Sequence, residues 1–381
     1  MRVLIDYRPA LRERSGVGEY THELAKALLA RQDPALQLTI FSSSWKDRLT
    51  RSPALDAARA VDRRVPVSLL NLSWHRFGWP PIESLAGGAF DVAHSMHPLL
   101  LPARAAARIV TIHDLNFLTH PERTRGEIRR DYPSLARAHA HRADRVIVVS
   151  EFTAREAVSR LGVPRERIAV AGSGAPDWPP LASRATNGYV LFFGTLEPRK
   201  NVGGLLDAYE LLIAGAARAP GPRRDVPELV LAGKAADGSA DWLARVAQSP
   251  LSGRVRHIGY VDPADRQKLY AGARLLVQPS FEEGFGIPVL EAMTLGIPVV
   301  AANRGALPEV LGDAGILIDP ERPGEIAEAI AKMIDDETFA QRCAARGRAR
   351  AQTFSWARTA ERVMDTYRQA IAHRQRTCAS A

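Results

Sequence analysis

Short runs of β-branched and apolar residues alternate along the chain with helix-length segments, and this alternation constrains the fold more than any other feature. RVLID (2–6), LQLTIF (36–41), DVAHS (91–95), RIVTIHD (108–114) and DRVIVVS (144–150) have the length and composition of buried strands, each followed by a polar or glycine-containing turn. The segment GSGAPDWPPLASRATNG (172–188), rich in Pro, Gly and Ser, reads as a linker. After it the pattern restarts with YVLFFG, ELVLAG, VRHIGYV, ARLLVQPS and IPVVAAN. Two successive arrays predict an α/β chain of two doubly wound, Rossmann-like domains, mainly parallel, each offering ligands the carboxyl ends of its strands. A length of 381 residues also favours two cores over one, and two lobes create a cleft. The expected domains are 1–180 and 181–356, with a helix-like tail at about 357–381 packing back on the first.

No apolar run reaches the ~18 residues that a membrane span needs. The opening MRVLIDYRPALRER carries a strand-length apolar run rather than a signal-peptide core, so a cytoplasmic protein is expected. Cys343 and Cys378 are the only cysteines and form no disulfide or metal pattern. The formal net charge is +9, and the first 180 residues hold most of the excess, with 26 basic residues against 19 acidic ones. Arg123, Arg125, Arg129, Arg130, Arg137, Arg142 and Arg145 fall in one helix-like stretch. A solvated arginine-rich surface and an anionic partner, such as a lipid diphosphate or a membrane surface, both fit. Nucleic acid fits less well, because no aromatic-interleaved basic motif accompanies the charge. RAPGPRRDVPE (218–228) reads as a polar surface loop.

The densest chemistry lies in PSFEEGFGIPVLEAMTLGIPVVA (279–301). A strand ends at VQPS, FEEGFG is the turn, Pro288 suits a first helical turn where its missing N–H costs little, and Gly296 ends the helix. Glu283 then sits on the loop and Glu291 in the helix. The N–H groups of Gly284, Phe285 and Gly286 between them suit an anion at a helix N-terminus. Carboxylates suit hydroxyls, so the set fits a molecule with phosphate in its middle and hydroxyls at both ends, such as a sugar nucleotide. An acidic first turn that merely satisfies the helix dipole is the competing reading.

In FFGTLEPRKN (192–201) a strand ends at Gly194, and Arg199 and Lys200 fall at the start of the next helical segment, where cations oppose the local dipole. A diphosphate explains them: a guanidinium fork and an ammonium can share its oxygens and offset charge on a departing leaving group. A solvated pair is the alternative. RSGVGEYTHELAKALL places Gly16 and Gly18 before a helix with Tyr20, Leu24 and Leu28 at helical spacing; phosphate cover and tight packing are equal readings. His113 and Asp114 follow the strand RIVTIH, at the end where open sheets bind ligands, either as a base or orienting pair or as a buried hydrogen-bonded histidine. His94 and His97 lack further ligands at metal spacing. No Asp-x-Asp is present to grip a metal-bound diphosphate.

GVGEY, HDLNFLTHPE, VSEFT, GTLEPRKN, LAGK, GYV and EEGFGIPVLEAMTLGIPVVAANRGALPEV together resemble the retaining glycosyltransferases of family 4, which have the two-domain GT-B fold. The matches run in order over nearly the whole chain. The resemblance implies a carboxyl-terminal domain that binds the sugar nucleotide, an amino-terminal domain that binds the acceptor, and catalysis in the cleft. It implies that Glu291 holds the ribose hydroxyls, Glu283 the donor sugar, and Arg199 and Lys200 the diphosphate. Gly284, Phe285 and Gly286 would add backbone contacts; Gly16 and Val17 would close on the diphosphate; His113 would line the donor sugar.

Gly194, Lys234, Tyr260 and Val261 belong to the same donor-side motifs, Asp114 and Ser150 to the acceptor side. No metal or other cofactor is implied. The first-domain loop is a short GVGEY where many relatives carry a longer double-glycine loop. It and HDLNFLTHPE look most like bacterial mannosyl- and rhamnosyltransferases of surface-polysaccharide assembly that use GDP-sugars. GDP-mannose is therefore the expected donor, with GDP-rhamnose or a UDP-sugar as alternatives. The acceptor would be a glycan or a lipid-diphosphate-linked glycan, with work at the inner face of an anionic membrane. An epimerase of the same fold and a non-catalytic sugar-nucleotide-binding scaffold are the other readings; no nucleic-acid partner is expected.

Overall fold

The computed structural model describes all residues except 12–13, 15, 51, 122–125, 219–225, 237 and 380–381, and for 126–131 and 378–379 it describes the backbone alone. Arg123, Arg125, the side chains of Arg129 and Arg130, and much of the loop 218–228 thus lie outside the described residues. The chain divides into two compact units, Met1–Gly174 with Ser355–Ala381, and Ala175–Phe354.

The first unit contains a seven-stranded sheet, ordered β3-β2-β1-β4-β5-β6-β7. Its strands are β1 (Arg2–Asp6), β2 (Gln37–Ser43), β3 (Arg59–Arg63), β4 (Val92–Ser95), β5 (Ala107–Ile112), β6 (Arg145–Val148) and β7 (Ile168–Val170). Every pair is parallel. That explains the near-continuous apolar runs: crossover helices cover both faces of such a sheet, so inner strands are buried on both sides. The helix Gly16–Ala30 buries Tyr20, Leu24 and Leu28 along one stripe. Its start corrects the sequence reading, since Gly16 and Gly18 lie within its first turn rather than ahead of it. Gly18 is there for packing: an added Cβ would lie 2.6 Å from the Pro9 carbonyl oxygen. The long helix Trp356–Ala379 packs in this unit, burying Val363, Met364, Tyr367 and Ala370. The Tyr367 hydroxyl bonds His94 Nδ1 at 2.8 Å, while Thr111 takes the other ring nitrogen at 2.7 Å.

The second unit holds a six-stranded parallel sheet, ordered β10-β9-β8-β11-β12-β13. The strands are β8 (Tyr189–Phe193), β9 (Leu229–Ala232), β10 (Val255–Gly259), β11 (Ala273–Gln278), β12 (Val299–Ala302) and β13 (Ile316–Ile318). In each sheet the order reverses once, between β1 and β4 and between β8 and β11. A crevice opens at such a reversal at the carboxyl ends of the strands.

Candidate active site

In the second unit the reversal is flanked by the turn after β8, which leads to Arg199 and Lys200, and by the turn after β11, which carries Glu283. Pro198–Lys200 form one turn of 3₁₀ helix, closed by Asn201 in the left-handed conformation at φ +56°. The helix Val202–Arg218 starts only after that turn. The two cations therefore end a short helix, where the dipole favours them, instead of opening a long one as the sequence suggested.

Glu283 lies on the loop, as expected, ahead of the helix Ile287–Leu295. Its Oε1 accepts from Lys200 Nζ at 2.5 Å, Ser280 Oγ at 2.8 Å and Gln278 Nε2 at 3.1 Å. Its Oε2 accepts from Arg199 Nη1 at 3.3 Å. Arg199 is also paired with Glu197 at 2.7 Å and donates to the Glu282 carbonyl at 3.1 Å. Burial alone would raise the Glu283 pKa, but Lys200 and Arg199 outweigh it and bring it to about 2. Burial draws Lys200 below its ordinary value, with the Glu283 carboxylate opposing. A fixed anion between two cations holds both cationic side chains in place before any ligand arrives.

Glu291 stands one turn into the helix, in separate company. Its Oε1 accepts from Arg266 Nη1 at 2.8 Å, and both side chains are buried. The Arg266 guanidinium lies over the Phe193 ring, 5.7 Å from its centroid. Burial and the nearby Glu291 push the Tyr270 hydroxyl well above its ordinary pKa. Glu283 and Glu291 thus have separate cationic partners.

Gly286 caps the helix N-terminus at φ +107°, a conformation that favours glycine. The Phe285 side chain is buried, edge-on to Phe354 at 5.9 Å, so Gly284, Phe285 and Gly286 have only main chain to offer an anion. Gly194 follows β8 and donates to the Ala232 carbonyl at 2.8 Å. Lys234 follows β9, its ammonium 6.0 Å from the ring centroid of Tyr260. Tyr260 and Val261 follow β10, partly exposed. These four residues thus gather at the carboxyl ends of neighbouring strands.

In the first unit, Gly16 is exposed at the helix start and an added Cβ would meet nothing within 4 Å. Val17 is half-buried, its carbonyl accepting from Thr21 Oγ1 at 2.8 Å. His113 follows β5, half-buried, edge-on to Tyr20 at 5.1 Å. Burial lowers its pKa to about 4, so the ring is neutral near pH 7. Its Nε2 donates to the Met96 carbonyl at 3.2 Å, which leaves Nδ1 as the accepting nitrogen. Asp114 accepts from the Asn116 N–H at 3.2 Å and shapes the turn beyond.

Ser150 is buried and is the N-cap of the helix Glu151–Leu161, accepting from the Thr153 N–H at 3.0 Å. That role satisfies a helix-end donor. At the β1/β4 reversal the sequence reading missed Asp6, wholly buried and bound by Arg8 at 2.7 Å and by His97 at 3.3 Å. It also missed Arg266 and Gly305. Gly305 lets its backbone lie against Glu283, and its only sequence signal was a glycine after a strand.

Family comparisons cover both units. Residues 179–350 match the model of glycosyl transferases group 1, and residues 14–176 match that of Glycosyltransferase Family 4. O-antigen chain mannosyltransferase B of Escherichia coli is 32% identical over 392 aligned positions, spanning 97% of this chain and 100% of that protein. D-inositol 3-phosphate glycosyltransferase of Mycolicibacterium smegmatis is 34% identical over 60% of this chain and 54% of its own length. Among solved structures, sucrose-phosphate synthase from Thermosynechococcus elongatus aligns with a TM-score of 0.75 at 22% identity, covering 97% and 99% of the two chains. Anabaena HepE in complex with UDP-glucose aligns at 0.66 and 20% identity, covering 96% and 99%. The structural likenesses show the fold, and with the full-length sequence match they establish that this chain belongs to the family 4, group 1 glycosyltransferases of GT-B fold.

Proposed function

We propose that the protein is a retaining, metal-independent hexosyltransferase that moves mannose from GDP-mannose to a glycan or lipid-diphosphate-linked glycan in surface-polysaccharide synthesis, at the cytoplasmic face of the membrane. The observation that carries the reading is the ion-paired cluster of half-buried Arg199 with buried Lys200 and Glu283 beside the strand-order reversal of the second unit. The name of the full-length relative, an O-antigen chain mannosyltransferase, supports both mannose and the polysaccharide setting.

In this reading Arg199 and Lys200 face the diphosphate, and the N–H groups of Gly284 to Gly286 add to them. As the bond between the anomeric carbon and the phosphate oxygen breaks, negative charge grows on the nucleoside diphosphate. Fixed cations stabilise that charge without reorganising. The acceptor hydroxyl attacks the same face of the sugar, and its proton passes to the departing phosphate oxygen. Glu283 holds the sugar hydroxyls while keeping Lys200 and Arg199 in place. Glu291 holds the ribose, and neutral His113 accepts from a sugar hydroxyl through Nδ1.

The test is calorimetric titration of the purified protein with GDP, UDP and ADP without added metal, alongside Arg199→Ala. GDP alone should bind, and the variant should lose that binding. Failure of all three nucleotides to bind the unaltered protein would overturn the donor-site assignments; binding of UDP alone would overturn the GDP part.

A further inference from the structure

A cavity of about 260 Å³ lies in the first unit, and its lining includes Trp74, Trp79, Pro81 and Leu101 together with Arg104, Arg142 and His139. It is not the active end of the sheet. Arg108, which also borders it, is the second residue of β5, while His113 follows that strand's carboxyl end. At 3.3 Å per residue the two positions stand about 17 Å apart.

The helix beside the cavity, Val67–Phe77, has an unusual surface. Leu70 and Trp74 form its buried face. A surface helix would ordinarily be polar on the other side. Here Leu69, Leu72 and Phe77 are 57%, 60% and 72% exposed, and Trp79 just beyond is 64% exposed. Residues 63–82 contain Arg63, Arg64 and Arg76 and no acidic residue.

The polar residues of the cavity lining are basic as well. Among the described residues, the guanidinium groups of Arg104 and Arg142 have no carboxylate partner. His139 is buried and accepts from the Leu100 N–H through Nδ1 at 2.9 Å, so Nε2 carries the hydrogen and can donate. Burial lowers its pKa to about 4, which keeps the ring a neutral donor near pH 7.

We propose that this cavity and the exposed flank of Val67–Phe77 are a docking site for an anionic phospholipid in a bilayer surface. Arg104, Arg142 and His139 Nε2 take the phosphate, and Leu69, Leu72, Phe77 and Trp79 enter the acyl boundary. Charge complementarity selects this occupant. A second copy of a basic chain would bring cations to cations, whereas an anionic bilayer answers both the charge and the apolar flank, and tryptophan suits the boundary between them. The inference rests on the membrane part of the proposed function and names the surface responsible.

The experiment is vesicle sedimentation at low salt, with phosphatidylcholine alone and with phosphatidylcholine containing phosphatidylglycerol. The proteins are the unaltered chain, the triple variant Leu72→Ser, Phe77→Ser, Trp79→Ser, and the double variant Arg104→Gln, Arg142→Gln. All five positions are exposed, and unchanged thermal melting checks that the variants fold. The unaltered protein should bind the anionic vesicles at least tenfold more tightly than the neutral ones. The triple variant should lose that binding, and the double variant should lose the preference for phosphatidylglycerol. If both variants bind as the parent does, the site is wrong and the membrane reading survives. If the parent binds neither vesicle, both fall. A lipid-free dimer, seen by light scattering and dissolved by the triple variant, would assign the patch to a second copy and overturn the proposal.

Discussion

Lys200 Nζ stands 2.5 Å from Glu283 Oε1, and both side chains are buried although 83 residues separate them. The turn that makes this contact depends on Asn201, whose left-handed backbone closes the 3₁₀ turn and whose amide donates to the Pro320 carbonyl at 2.7 Å. Phe281 N–H donates to the Arg199 carbonyl at 2.9 Å, tying the two loops by main chain as well. A buried ion pair gains little net stability over an apolar pair, because both ions lose hydration. Its retention beside a strand-order reversal fits a functional use.

A buried charge left without any partner costs about 3–5 kcal/mol. Lys200→Met leaves Glu283 its bonds from Arg199, Ser280 and Gln278 and should cost less than that, whereas Glu283→Gln removes the carboxylate that pairs with buried Lys200 and should approach it. The double variant should lose less than the two single losses together. Urea unfolding of the four proteins measures the coupling. Additive losses would show that the two groups do not interact in solution.

Gly305 sits at φ +62°, and an added Cβ would lie 2.6 Å from the Glu283 carbonyl oxygen and 2.7 Å from its nitrogen. The Ala306 N–H donates to that same carbonyl at 2.9 Å. Gly305→Ala thus adds backbone strain, on the order of 1–3 kcal/mol, and pushes on the loop that aims Glu283. Transfer activity should fall by at least tenfold. Gly324→Ala is the control, because a Cβ there meets nothing within 4 Å and the site is helical. Equal activity of the two variants would remove Gly305 from the site.

Glu291 and Arg199 should be separable by ligand. Glu291 is paired with Arg266 and Arg199 with Glu283 and Glu197, so the two belong to different clusters. If Glu291 holds ribose, Glu291→Gln weakens guanosine and GDP alike. If Arg199 holds diphosphate, Arg199→Ala weakens GDP and leaves guanosine unchanged. Calorimetry with both ligands decides; a Glu291→Gln variant that loses only GDP would reassign that residue.

The order of strands and helices was legible because parallel strands covered on both faces read as near-continuous apolar runs, as Val3–Ile5 and YVLFF do. β3, β7 and β13 were not legible for the converse reason. β3 and β13 are edge strands with exposed positions, and β7 and β13 are three residues each, too short for a periodic signal. The loop position of Glu283 followed from the glycines around it. Its partners did not: Lys200 and Arg199 are brought to it by the pairing of β8 with β11, and Arg266 reaches Glu291 from a helix that gave no sign of its direction. The capping role of Ser150 was not legible, because a helix cap and a ligand contact call for the same hydroxyl.

Four histidines, His113 among them, set a pH limit on the fold. His94 is wholly buried between the Tyr367 and Thr111 hydroxyls, His22 bonds the Tyr7 hydroxyl at 2.7 Å, and His139 holds the Leu100 N–H. Burial lowers the pKa of His94 to about 3 and those of His22, His113 and His139 to about 4, against about 6.5 in an unfolded chain. Below pH 6.5 the unfolded chain therefore binds protons that the folded one refuses, and stability falls as pH falls. Each histidine contributes a slope of up to about 1.4 kcal/mol per pH unit until its folded value is reached. Below about pH 4.5, protonation of Glu283 adds a loss in the same direction, completed near pH 2. Urea unfolding at pH 7.5, 6 and 5 should show little change above 6.5 and a steep decline beneath it. His94→Gln keeps hydrogen-bonding atoms for both hydroxyl partners and has no proton to gain. Its decline between pH 6 and 5 should be shallower by about one histidine's share, and a slope equal to the parent's would mean that His94 takes up its proton without unfolding.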